Sequence, residues 1–417
     1  MNKIFEFIIN KNSAFYFIIT FFYFFGILCF FSNLDPNGGA YLDYLNQKRI
    51  SQEFASNFLF KFLSFDKEST RHSPLLLIIL SIFEKFEIPD FVIRIFAFHF
   101  CLLLPIFFFK LLKQRFISIK KNIALLITCL IFLSPTFISL SIWPDSRIYG
   151  VTFFTLSLIY FTRFEQNREF SDVIKCIFWY AIASYFSLNF ALFSIFFIFK
   201  FIGYFNIGRK LILIIFLNII LSLPALIYTF SLESIFFLKS GISGKEFSIL
   251  DTLNFSNKLL IISTIFIFYL IPFYLSKIIE INFFNLQDLL ISLIIFFICY
   301  FFFNYNPSFS GGGIFFKISQ YLFSNNIFFS IVSILSISAI INFVRLNFYN
   351  GLIFAILILS NIQFSIYHKY YDPLLLILFL SIFDMNIDDK KINNIKLIYF
   401  YSFSIIFLIL NFLKQSI

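Results

Sequence analysis

Charged residues are scarce in this sequence: only 13% of its 417 residues are charged, whereas 60% are hydrophobic. In an ordinary soluble protein about a quarter of the residues carry a charge. The composition therefore excludes that class. Apolar runs close to the length of about 20 residues that crosses a bilayer recur from Phe15 to Leu413. They predict an all-α fold, that of a polytopic integral membrane protein.

Cysteine, histidine and tryptophan are also rare. The five cysteines are scattered, mostly inside apolar runs, and form neither a CxxC pair nor a Cys/His cluster. This spacing supports neither a disulfide framework nor a zinc site, and no cofactor is indicated. Three histidines and two tryptophans are too few to predict a platform on which sugar rings stack.

The net charge of +10 does not indicate a nucleic-acid partner. The basic residues lie mostly in short loops, where membrane topology and anionic lipid head groups account for them. Because Lys and Arg favour the loops on the side of the N-terminus, the positive-inside rule places that side in the cytoplasm. We therefore expect the long first loop to lie outside the cytoplasm.

The apolar runs predict about thirteen transmembrane helices. The predicted spans are 14–33, 91–112, 122–140, 147–164, 173–187, 189–203, 210–229, 258–276, 288–304, 327–344, 351–366, 373–385 and 396–413. The first of them resembles a signal peptide, but it is longer than usual and no small-residue cleavage site follows it. We expect it to remain as the first transmembrane helix of a single transmembrane domain, 1–417.

The first external loop, 34–90, is predicted to contain two helices. Phe54, Phe58 and Phe62 follow one another at four-residue steps, with polar residues on the opposite face. This pattern is typical of an amphipathic helix in the membrane interface. A short apolar helix is predicted to begin at Pro74, because proline is favoured in the first turn.

Two later external segments, 231–257 and 304–326, contain glycine-rich stretches, among them Gly311–Gly313. Such stretches either order over a substrate as lids or simply link helices. The sequence leaves both alternatives open.

Charged residues gather at the membrane boundary on the predicted external side. Asp35 and Asp43 follow the first span, Arg71 and His72 precede Pro74, and Arg147 precedes another span. A charge at such a boundary is costly unless it faces water, a partner or a substrate. The cluster predicts a site for an anionic, lipid-linked substrate.

Three motifs resemble those of a known family. An acid directly after the first span is followed by interfacial helices and a His/Pro-containing motif. The segment Ala124–Tyr149, which ends Asp-Ser-Arg-Ile-Tyr, resembles the "spf…eaRmYal" region of that family, and Tyr370-Tyr-Asp-Pro resembles its Y-x-x-P element. Together they resemble the GT-C superfamily of polyprenyl-phosphate-dependent glycosyltransferases, in the branch of the protein mannosyltransferases and the lipid A aminoarabinose transferase.

The similarity is clearest over residues 30–190 and returns near 365–385. Two departures stand out. Many relatives carry adjacent acids in the first loop, whereas here Asp35 is followed by Pro36 and the second acid is Asp43. The Lys-Pro-Pro or His-Pro-Pro element of relatives is Arg71-His72-Ser-Pro here.

The resemblance implies a membrane glycosyltransferase in the inner membrane of a bacterial cell envelope, with its active site on the extracytoplasmic side. Its donor would be a polyprenyl-phosphate-linked sugar, and its acceptor a glycan, lipid or protein. The reaction needs a carboxylate base, Asp35 or alternatively Asp43, and cations that hold the phosphate. No metal ion is required. The expected ligands of phosphate, sugar or acceptor are Arg71, His72, Arg147, Tyr149, Lys369 and Tyr370.

Other interpretations remain open at the level of sequence. Asp35 also suits a plain turn, and Arg147 suits an arginine that reaches for lipid head groups. Tyr370 and its neighbours also suit an interfacial aromatic belt. The alternative functions are a transporter or flippase of a lipid-linked saccharide, a membrane oligosaccharide polymerase or ligase, and a non-catalytic scaffold.

Overall fold

A computed structural model describes residues 13–32, 35–36, 38–68, 70, 72–205, 208–232, 254–279, 285–308, 311–361 and 363–416. Over these residues the protein is all-α and contains no strand, as predicted. Seven described helices are long and apolar enough to cross a membrane, and one bent helix pair raises that number to eight. The chain is therefore a helical membrane protein, but the predicted count of thirteen spans is not confirmed.

The chain forms two compact units. The first comprises Met1–Leu63, Ser73–Ser187 and Asp388–Ile417, and the second comprises Ser64–His72 and Leu188–Ile387. Helices of the first unit are α1 (Ser13–Ser32), α2 (Ala40–Ser56), α3 (Phe58–Leu63), α4 (Pro74–Lys85), α5 (Asp90–Cys101), α6 (Leu103–Arg115), α7 (Lys121–Cys129), α8 (Pro135–Ile142), α9 (Ser146–Asn167), α10 (Phe170–Phe186) and α19 (Asn394–Ser416). Helices of the second unit are α11 (Phe193–Phe205), α12 (Arg209–Ser231), α13 (Phe255–Leu275), α14 (Leu286–Phe301), α15 (Ile314–Phe323), α16 (Ile327–Leu346), α17 (Phe348–Leu359) and α18 (Leu374–Phe379).

Several predicted spans differ from the helices that form. The run 122–140 bends by 65° at Pro135, where α8 begins. Proline has no N–H to continue the preceding helix, and the Ser134 hydroxyl accepts the Phe137 N–H at 2.9 Å as a cap. The runs 288–304, 351–366 and 373–385 form helices of 16, 12 and 6 residues. Because about 20 residues are needed to cross the hydrocarbon core, these three helices do not reach that length.

The two helices predicted in the first loop form as α2–α3 and α4. α4 begins at Pro74, and the hydroxyl of Ser73 accepts the Leu75 N–H. α2 packs its buried face against α4. One polar side chain departs from the predicted amphipathic pattern, because Lys61 is buried and forms an ion pair with Glu53. That the loop lies in the membrane interface stays a prediction.

The glycine stretch Gly311–Gly313 is packed in place, so it has the geometry of a fixed turn. All three residues have positive φ angles, between 78° and 92°, which favour glycine. The Gly312 N–H donates to the Ile366 carbonyl at 2.8 Å. The other glycine stretch, within 233–253, lies outside the described residues.

Gly311→Ala is expected to destabilise the protein by about 1–3 kcal/mol, because a non-glycine residue with positive φ is strained. The added Cβ would also lie 2.6 Å from the Ile366 carbonyl oxygen. The matched control is Gly203→Ala within α11, where the nearest heavy atom to the new Cβ is 3.7 Å away. Thermal unfolding in detergent measures both variants. Equal melting temperatures for the two would contradict the packed turn.

Candidate functional site

The predicted site residues fall into separate parts of the structure. Asp35, Asp43, Arg147 and Tyr149 belong to the first unit. His72, Lys369 and Tyr370 belong to the second unit, and Arg71 lies outside the described residues. The structure brings Asp43 and Arg147 into direct contact.

Asp35 is buried and caps the start of α2. Its carboxylate accepts the backbone N–H of Ala40 at 2.5 Å and that of Tyr41 at 3.2 Å. The side chain thereby satisfies two of the N–H groups that a helix leaves unpaired in its first turn. The turn at Gly38 and Gly39, both with positive φ, places the carboxylate there. The carboxylate of Asp35 thus forms the N-terminal cap of α2, and its role as a base stays a prediction.

Asp145 caps α9 and forms hydrogen bonds with the side chain of Arg147. One of its oxygens accepts the Arg147 backbone N–H and its Nε–H, both at 2.8 Å, and the other lies 2.5 Å from Nη2. Both residues are buried. A guanidinium bound by two parallel hydrogen bonds is fixed in direction as well as position. Asp145 therefore holds the cation in one orientation.

Asp43, on α2, is the third member of a cluster that also contains Arg147 and Asp145. Its carboxylate lies 3.2 Å from the same Nη2 of Arg147, and about a third of its side chain, 36%, is exposed. Within this trio, the guanidinium of Arg147 contacts the carboxylates of both Asp43 and Asp145. The structure exposes Asp43 to an incoming group and leaves Asp145 buried.

A metal ion does not fit between Asp43 and Asp145 as they stand. Their carboxylates offer oxygens within 4.8 Å of each other, and oxygen ligands suit hard divalent cations. However, the guanidinium of Arg147 already contacts both carboxylates. A cation could bind this pair only if Arg147 moved away.

Trp143, two positions before Asp145 in the sequence, packs against Arg94 and contacts α2. The Arg94 guanidinium carbon lies 3.7 Å from the Trp143 ring centroid, and its Nε–H donates to the Ile142 carbonyl at 3.2 Å. The rings of Tyr41 and Tyr44 lie 4.7 and 5.8 Å from that of Trp143. These contacts hold the first turn of α2 against the segment that carries Asp145.

A second polar group extends along the same helix. The Tyr44 hydroxyl donates to Asp90 at 2.6 Å, and Lys48 contacts the same oxygen at 2.9 Å. Burial, with the hydrogen bond to Asp90, raises the pKa of the Tyr44 phenol well above its ordinary value. Tyr44 therefore remains a protonated hydrogen-bond donor at physiological pH.

The other predicted residues have other surroundings. Tyr149 is buried, with its ring 5.4 and 5.6 Å from those of Phe100 and Phe186. In the second unit, the Tyr370 hydroxyl donates to Gln363, and the Lys369 ammonium lies 5.1 Å from the Tyr367 ring.

Half-buried His72 belongs to the same unit, and its backbone N–H donates to the Thr70 hydroxyl at 3.2 Å.

The sequence reasoning gave no role to Asp145, Trp143, Tyr44 or Asp90. For Asp145 a signal existed: an aspartate directly before an apolar helical stretch is a typical N-cap, and the arginine two residues later lies within reach of it. For Tyr44 and Asp90 the sequence carries no such signal, because they are separated by 46 positions.

Removing Asp145 is expected to cost much more stability than removing Asp43. Asp145→Asn leaves a buried guanidinium without its main counter-charge, and breaking such a buried pair costs about 3–5 kcal/mol. Asp43→Asn removes a part-exposed partner, for which about 1 kcal/mol or less is expected. Thermal unfolding of the two isosteric variants, compared with wild type, measures the difference. Equal losses would contradict the assignment of Asp145 as the principal partner.

No family model, no curated protein and no solved structure matches this chain. The resemblance to the GT-C superfamily therefore stays an expectation. What the cluster of Asp43, Arg147 and Asp145 can do has to be inferred from its own chemistry.

Proposed function

We propose that the chain is a membrane glycosyltransferase of the GT-C type, with a GT-C-like set of about thirteen spans. It moves a sugar from a polyprenyl-phosphate donor to an acceptor on the extracytoplasmic side of the inner membrane. The observation that carries the proposal is the part-exposed carboxylate of Asp43, 3.2 Å from the buried guanidinium of Arg147. Such a pair supplies a base and a cation at one place.

Asp43 is the base in this proposal. A general base must reach the proton that it takes, and the Asp43 side chain is 36% exposed. The carboxylate of Asp35 instead accepts two backbone N–H groups of α2, and its removal from them would unpair the helix start. The geometry therefore favours Asp43 over Asp35.

Arg147 is the phosphate-facing cation. In the reaction the acceptor hydroxyl or amine loses its proton to Asp43 while its oxygen or nitrogen bonds to the anomeric carbon. The bond from that carbon to the phosphate oxygen breaks, and the electron pair leaves with the lipid phosphate. Protonation of Asp43 neutralises one of the two anions that contact Arg147. The Arg147 guanidinium then contacts one anion fewer while negative charge develops on the leaving phosphate.

The contribution of the remaining predicted ligands stays part of the proposal. Lys369 and Tyr370 are proposed to line the phosphate or sugar, and Arg71 and His72 the phosphate or acceptor. Tyr149, which contacts two phenylalanine rings, is proposed to support the helix that carries Arg147.

A transporter or flippase is less well supported. Such proteins carry charges along a path through the membrane. Among the described buried carboxylates, Asp172 and Asp288 each lie in the first turn of a helix, 3.9 and 2.9 Å from Arg163 and Arg345. These charges are paired at helix ends, which is the arrangement expected of structural ion pairs.

The proposal is tested by release of polyprenyl phosphate from a panel of polyprenyl-phosphate sugars, followed by mass spectrometry. Asp43→Asn is expected to lower the rate by about 100-fold or more, the usual contribution of a general base. Asp35→Asn is the matched control: its amide oxygen can still accept the helix N–H groups, so most activity should remain.

The comparison requires that both variants melt close to wild type. Full activity in Asp43→Asn together with loss of activity in Asp35→Asn would mean that Asp35 is the base. Release from no member of the panel by folded wild type would contradict the proposed reaction.

A further inference from the structure

Two deeply buried polar side chains, on the elements that carry Asp43 and Asp145, have no hydrogen-bond partner among the described residues. Gln47, with 1% of its surface exposed, has neither its amide nitrogen nor its amide oxygen paired. Trp143, also 1% exposed, has its indole N–H unpaired. Three polar atoms are therefore removed from water with no described group to compensate them.

Such atoms are costly. A buried donor or acceptor that lacks a partner destabilises a protein by about 1–3 kcal/mol, and most buried polar groups are paired. Other glutamines in the first unit do have partners: Gln52 donates to Glu84 at 3.3 Å, and Gln114 donates to the Ile159 carbonyl at 3.1 Å. Among the described glutamines of the first unit, Gln47 is the buried one, and it lacks a partner.

Both side chains belong to the elements that carry the candidate site. Gln47 follows Asp43 by four positions on α2, so the two side chains share one helix face, a turn apart. Trp143 precedes Asp145 by two positions. Its ring lies against Tyr41 and Tyr44, which flank Asp43 along the sequence. Gln47 is thus one helical turn from the proposed base, and Trp143 contacts the two tyrosines on either side of that base in the sequence.

The types of these atoms restrict the ligand. The Gln47 amide both donates and accepts, whereas the indole N–H of Trp143 only donates. A phosphate offers only acceptor oxygens at neutral pH, so the Gln47 oxygen would be left unpaired against it. A sugar hydroxyl donates and accepts, and it can therefore satisfy either atom of the amide. Stacking is not the mode, because Arg94 covers the Trp143 ring at 3.7 Å.

We propose that Gln47 and Trp143 bind hydroxyl groups of the sugar carried by the polyprenyl-phosphate donor. This inference rests on the proposed function and adds a sugar-binding group to the base and the cation. The two residues are binding residues that place the sugar ring beside Asp43, with the phosphate toward Arg147.

The test is thermal unfolding with plain undecaprenyl phosphate and with the same lipid carrying a hexose, an N-acetylhexosamine or an aminopentose. The variants are Gln47→Met, which keeps the shape and removes the polar atoms, and Trp143→Phe, which removes the N–H. Gln52→Met, on the exposed side of α2, is the matched control. Free monosaccharides show whether the sugar binds without the lipid.

In wild type and in Gln52→Met, one sugar-bearing lipid should raise the melting temperature beyond the shift given by the plain lipid. Gln47→Met should melt at or above wild type without ligand, since an unpaired amide is gone. It should keep the plain-lipid shift and lose the additional one, with about tenfold weaker binding of the sugar-bearing lipid. Trp143→Phe should lose part of that additional shift.

An unchanged additional shift in Gln47→Met overturns the inference, and so does a wild type that responds equally to plain and sugar-bearing lipids. In both cases a plain-lipid shift would leave the proposed function standing. Absence of any shift in folded wild type would count against the proposed function itself. If a free monosaccharide gave the same shift as the sugar-bearing lipid, Gln47 and Trp143 would not bind the sugar of the donor. They would then be assigned to the acceptor.

Discussion

The burial of the Arg147 guanidinium is the constraint on which the candidate site depends. A buried cation costs several kcal/mol unless an anion and hydrogen bonds compensate it. Asp145 supplies both, from two positions away in the same chain segment. Because the capping of α9 and the ion pair use one carboxylate, the start of that helix and the direction of the cation are fixed together. Asp43 then links α2 to the same guanidinium through an ion pair.

In the proposed reaction, this arrangement would combine a base with an anion-binding group. Among these three side chains, two carboxylates face one guanidinium, so the trio by itself carries an excess of negative charge that would repel a phosphate. The two acids differ in exposure, with 36% of the Asp43 side chain exposed and 2% of that of Asp145. In the proposed reaction Asp43, the more exposed of the two, takes the proton from the acceptor. Its neutralisation would lower the repulsion and make Arg147 available to the phosphate, so the two halves of the reaction become electrostatically linked.

Local signals in the sequence predicted a large part of the fold. The Ser-Pro start of α4, the four-residue steps of phenylalanine in α2 and α3, and the first span all follow from the chain itself. The bend at Pro135 and the short helices after residue 286 were missed, because a run of apolar residues does not reveal its own breaks. The cap role of Asp35 depends on the turn at Gly38 and Gly39. The contact between Asp43 and Arg147 spans 104 positions, which a single sequence does not disclose.

To test for a phosphate site built on Arg147, undecaprenyl phosphate is added to wild type and to Asp43→Asn, and thermal unfolding in detergent at low salt measures its binding. A ligand that binds only the folded state raises the melting temperature by mass action. We expect a shift in wild type and a larger shift in Asp43→Asn, because the variant keeps Arg147 and Asp145 but removes the nearby anion. No shift in either folded protein, or a smaller shift in Asp43→Asn, would contradict a phosphate site built on Arg147.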